Sequence, residues 1–138
     1  VTDPPGVRAP VWHELHPPRC PGPEETRLLA ELAAFVDEPL LHEQVRTALV
    51  TAVCGCGCSS VALRTDAPAI PPQRVAQLSG TGRDDVLAVR SRALGHVDVV
   101  LHVASGRVLE LEVFDTRGGE GVAVPLESIT GLQDLSIS

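Results

Sequence analysis

The stretch VDVVLHVASGRVLELEVF, residues 97–114, constrains the fold more than any other part of the chain. Val97, Val99, Leu101 and Val103 alternate with Asp98, Val100 and His102, while Leu109, Leu111 and Val113 alternate with Glu110 and Glu112. A period of two marks half-buried strands, and Ser105-Gly106 between the sets marks a hairpin. Hairpin parity then limits the loop. A simple two-residue loop at Ser105-Gly106 pairs Leu101 with Glu110 and sends the two apolar sets to opposite faces. A three-residue loop, Ala104-Ser105-Gly106 with Gly106 left-handed, pairs Leu101 with Leu109 and Val99 with Leu111. The three-residue loop is therefore expected.

The remaining elements are weaker but consistent. Pro4, Pro5, Pro10, Pro17, Pro18, Pro21 and Pro23 leave no room for a long helix or central strand in residues 1–23. That segment reads as a Pro-rich arm, irregular or strap-like, anchored by Val11, Trp12 and Leu15, ahead of a single α+β domain over 24–138. Leu28, Leu29, Leu32, Phe35 and Val36 recur at helical spacing and predict a helix over 24–36, with Glu24 and Glu25 favouring its N-terminus. A second helix is expected over 37–49, with Asp37 as a plausible cap and Leu41, Val45, Ala48 and Leu49 as its stripe. Residues 51–64 then read as one strand, TDAPAIPPQR as a Pro-broken loop, SGTGRDD as a turn, 86–93 as a strand and 121–124 as a short last strand. The expected class is α+β: two N-terminal helices packed on one face of a 3–5-stranded antiparallel sheet.

Composition excludes several function classes. A net charge of −7 and eleven scattered Arg argue against binding a phosphate backbone, and three aromatics (Trp12, Phe35, Phe114) provide no base-stacking platform. The longest apolar runs fall far short of the ~20 residues that cross a bilayer, so neither nucleic acid nor membrane is an expected partner. The first residues do not read as a secretory signal. The absence of Lys, Asn, Tyr and Met amid abundant Arg, Ala, Val, Gly and Pro points to a high-GC genome, and bacterial cytoplasm is the expected compartment.

The motif VCGCGCSSV, residues 53–61, carries the sharpest chemical question. Thiolates separated by single glycines can chelate a soft metal where Gly permits tight turns. Sulfurs on one tetrahedral zinc lie about 3.8 Å apart, whereas i and i+2 side chains of a regular strand lie about 6.6 Å apart. Cys54, Cys56 and Cys58 therefore meet on one ion only if the segment is a loop. The flanking alternation favours a strand, hence buried structural cysteines, with Gly55 and Gly57 leaving room for the first helix. A metal site, zinc or iron, completed by Cys20, His13 and His16 is the alternative, and a redox or disulfide role for Cys20 with one of the three is another. HELH, residues 13–16, lacks the i, i+4 spacing of a metalloprotease helix. The glycines at 80, 82, 118 and 119 read as turns, not a phosphate loop.

His96, Asp98 and His102, with Glu110 and Glu112 on the partner strand, fall opposite the core face. They read as a solvated face and as candidates for a binding surface without a nucleophile of its own. The pairing of CGCSSV (56–61) with VLHVASGRVLELEVF (100–114) resembles a group of short uncharacterised bacterial proteins, mainly actinobacterial. These carry a C-G-C-x-S-[IV] strand and an LHV-x-x-G-x-L-x-E-L-E-V hairpin. The resemblance spans about residues 40–126 and implies a fold but no activity. The expected function is a non-enzymatic accessory or interaction module with a protein partner and no cofactor. The alternatives are a metal or thiol-redox protein centred on Cys54, Cys56 and Cys58, and a small-molecule enzyme using Cys and His.

Overall fold

A computed structural model of the protein describes residues 11–138, so residues 1–10 of the expected arm lie outside the described residues. The elements run β1 (Trp12–Arg19), α1 (Pro23–Ala34), α2 (Pro39–Thr47), β2 (Leu49–Cys54), β3 (Val61–Arg64), α3 (Pro72–Ser79), β4 (Val86–Ala93), β5 (Val97–Ala104), β6 (Arg107–Asp115) and β7 (Gln133–Ile137). All seven strands form one sheet in the order β1-β2-β3-β6-β5-β4-β7, and every neighbouring pair is antiparallel. The class is α+β. The described residues contain three helices and seven strands where two helices and three to five strands were expected. None of these helices is long and apolar enough to cross a membrane.

The helices cover one face of the sheet. Leu28, Leu29, Leu32 and Leu41 pack there against Val99, Leu101, Leu111 and Val113, all at most 1% exposed. Burying each such side chain contributes about 1.5–3 kcal/mol, so this layer holds the sheet and helices as one body. Gln44 of α2 is the polar exception at 0% exposed. Its Nε2 donates to the carbonyls of Pro68 (2.9 Å) and Gly106 (2.7 Å), and its Oε1 accepts from the Val108 N–H at 3.0 Å. The amide thus joins α2 to the β5–β6 turn.

Several expectations are corrected. Part of the arm is the edge strand β1, which tolerates Pro17 and Pro18 because only one of its sides is paired. The Pro-broken loop ends in α3. Pro72 opens that helix, where a missing N–H costs nothing, and Gly80 closes it left-handed at φ 69°. Residues 121–124 are not a strand; the last strand is β7, beside β4.

The hairpin is corrected too. Ala104 pairs with Arg107, so the loop is the two-residue Ser105-Gly106, both left-handed at φ 51° and 79°. Parity is restored by a bulge: Val103 faces Val108 and His102 faces Glu110, leaving Leu109 without a partner and 52% exposed. Leu101 and Val99 consequently face Leu111 and Val113, not Leu109 and Leu111.

Candidate functional site

The expected strand over 51–64 is two strands, β2 and β3, paired with each other, and the cysteine motif is the connection between them. Gly57 takes φ 94°, a left-handed conformation that breaks the extended run, and its N–H reaches the Cys54 carbonyl at 3.4 Å. Side-chain hydroxyls anchor the C-terminal side of the loop to two other segments. Ser59 Oγ bonds the N–H and carbonyl of Val124 at 3.0 and 2.7 Å, and Ser60 Oγ accepts from the Val113 N–H at 2.9 Å. Gly55 receives the edge strand and not α1. Its N–H donates to the Val11 carbonyl at 2.6 Å, and a Cβ there would lie 2.8 Å from His13 Nε2.

Because the segment is a loop, the strand-spacing objection to a shared ion falls away. The Sγ atoms of Cys54, Cys56 and Cys58 all lie within 4.8 Å of one another, and those of Cys54 and Cys56 are 2.7 Å apart. All four cysteines are free. Cys56 is exposed and Cys54 and Cys58 are half-buried, which corrects the reading as buried structural residues. Burial pushes the Cys54 thiol up to about 12, assisted by its hydrogen bond to Cys56. Cys56 moves the other way: partial burial raises it, but bonds from the thiols of Cys54 and Cys58 and the N–H groups of Cys58 and Gly121 together hold it below the ordinary thiol range. The loop therefore presents three converging thiols, of which Cys56 is the most readily ionised and Cys54 is held protonated.

The second group lies on the sheet face opposite the helices. His102 on β5 faces Glu110 on β6, and Glu112 follows two residues on, so the hairpin places all three side chains on one patch. One ligand atom from each lies within 4.8 Å of the others, and His102 Nε2 is 2.6 Å from Glu112 Oε1. That hydrogen bond holds the Glu112 carboxyl below its ordinary range, while burial pushes Glu110 up. The row continues to Ala88 on one side and to Ala62 and Ala52 on the other. Alanine adds nothing beyond Cβ, so nothing in the row overhangs the polar groups.

Both groups open into one cavity of about 840 Å³, walled by Trp12, Phe114, Glu120 and Gly121. His102, Glu110 and Glu112 are half-buried in it and are not a plain solvated face. Other sequence candidates lie elsewhere. Asp98 pairs with Arg92 at 2.9 Å, His96 bonds the Leu94 carbonyl at 2.7 Å, and His16 lies 3.5 Å from Glu14 on the exposed edge. His13 packs over Gly55, and Cys20 sits between β1 and α1; neither belongs to the thiol group. Sequence reasoning missed Ser59 and Ser60 as the posts of the loop and Trp12 as a wall. The signal available was two hydroxyls directly after the last cysteine, a composition that favours side chain–backbone bonding over a strand interior. Comparison with protein-family models, curated proteins and solved structures finds no match for this chain.

Proposed function

We propose that the protein is a metal-binding domain whose centre is the Cys54–Cys56–Cys58 loop, taking a thiophilic ion such as zinc. The observation that carries this reading is the convergence of three sulfurs on a pinned loop that lines a cavity. Deprotonated thiolates are the ligands such an ion needs, and a three-sulfur set would leave a fourth position for another ligand. An ion held by all three sulfurs would release their remaining thiol protons to solvent, including the one shared by Cys54 and Cys56, whose sulfurs would move from 2.7 Å toward the ~3.8 Å of a tetrahedral site.

The close approach of Cys54 and Cys56 also favours a second reading, a dithiol that passes two electrons and two protons to an external disulfide and closes its own S–S bond. The interaction module expected from composition draws support from the net charge of −7 but leaves the clustering of the thiols without a purpose. Native mass spectrometry with elemental analysis, on protein purified without chelator, separates the three. One zinc per chain, absent from Cys56→Ala, is the expected result. Protein that stays metal-free when zinc is added overturns the metal reading. A loss of two hydrogens per chain on exposure to oxidised glutathione then favours the dithiol, and thiols inert until unfolding favour the interaction module.

A further inference from the structure

We infer that His102, Glu110 and Glu112 form a second, chemically distinct cation site in the same cavity as the thiols, one that takes a hard or borderline divalent ion such as manganese. The reading is independent of the thiolate centre. One imidazole nitrogen and two carboxylates suit manganese or iron(II), whereas three sulfurs select a softer ion such as zinc. The two groups therefore sort ions by donor type.

Three observations carry the inference. The first is preorganisation: the donors stand on two paired strands, with His102 opposite Glu110 and Val100 opposite Glu112, so their spacing belongs to the sheet and not to a loop. The second is the Leu109 bulge. An unbulged hairpin with the same two-residue turn would set His102 against Leu109 and turn Glu110 and Glu112 toward the core. The bulge turns both carboxylates onto the imidazole's face. The third is charge. The other well-buried carboxylates, Glu25 and Glu38, each meet a guanidinium group, Arg19 and Arg74. Glu110 and Glu112 have no such partner among the described residues: Arg90 bonds Ser138 Oγ instead and acts on Glu112 only through space. Glu110, half-buried, accepts no hydrogen bond from any described residue, so its oxygens are free to ligate.

The probe is Mn(II), which favours oxygen and nitrogen donors over sulfur, followed by the loss of its free-ion electron paramagnetic resonance signal. Wild-type protein is expected to bind one equivalent. Glu110→Gln and Glu112→Gln, close in shape to the originals, should each weaken binding at least about tenfold, with unchanged circular dichroism. Cys56→Ser should leave Mn(II) affinity unchanged, and Glu110→Gln should leave the zinc content unchanged. Three results overturn the inference: no Mn(II) bound by wild type, binding that survives both Gln variants, or binding lost in Cys56→Ser. Failure of the thiolate centre appears instead as absent zinc with the Mn(II) results intact.

Discussion

Cys56 and Gln44 show how much a single side chain decides here. Cys56 is the most exposed of the loop thiols and the one held below its ordinary range, while Cys54 is pushed to about 12. On metal-free protein, iodoacetamide followed by peptide mapping should label Cys56 first and at the lowest pH, with Cys54 last. Equal labelling of the two would contradict the hydrogen-bonded arrangement. Gln44 satisfies three backbone groups from a position with no exposure. Gln44→Leu removes all three bonds in a dry site and should cost on the order of 3 kcal/mol in urea unfolding. The sequence carried no hint of this role, because a lone Gln on a helix usually reads as a solvated position.

At the level of elements, the hairpin is the informative case. Its strands, their alternation and the core residues Val97, Val99, Leu101, Val103, Leu111 and Val113 were legible from periodicity alone. The turn was not, since a longer loop and a bulge solve the same parity problem and leave nearly the same pattern of residues. Deleting Leu109 tests the account. Residue 108 would then run straight into Glu110, a regular two-residue hairpin would form, and Leu101 would still face Leu111. The variant should fold with the proposed Mn(II) binding retained, whereas Leu111→Ala should lose about 2–5 kcal/mol. A deletion variant that fails to fold would show that the bulge's own twist is required. The cysteine loop failed as a strand prediction for a related reason. Alternation of small residues is common to strands and tight loops, and only the left-handed Gly57 and the bonds of Ser59 and Ser60 distinguish them.

Across the whole molecule, the class and the two first helices follow from hydrophobic pattern, but the sheet order does not. Strand β1 carries prolines that exclude a central strand and suit only an edge, and beyond its pairing with β2 its C-terminal end is tied to α1 by one ion pair. Arg19 bonds Glu25 at 2.7 Å, and Glu25 also accepts from the Gly22 N–H at 2.8 Å where α1 begins. Burial raises the Glu25 carboxyl, but these bonds outweigh it and hold the group below its ordinary range. A depressed carboxylate contributes stability that is present above its unfolded pKa and lost as pH falls through the folded one. Glu25→Gln should therefore cost about 1 kcal/mol near neutrality, with the difference from wild type vanishing in acid. An unchanged difference at low pH would mean that the pair does not hold the strand.

That fastening has a practical corollary. The chain has one Trp and no Tyr, and Trp12 stands in the wall shared by both ligand groups. Its emission is thus an intrinsic optical reporter on a single spot. Cobalt(II), a paramagnetic ion that can serve either donor set, should quench it on entry, and the Cys56→Ser and Glu110→Gln variants should divide that quenching into two separable titrations.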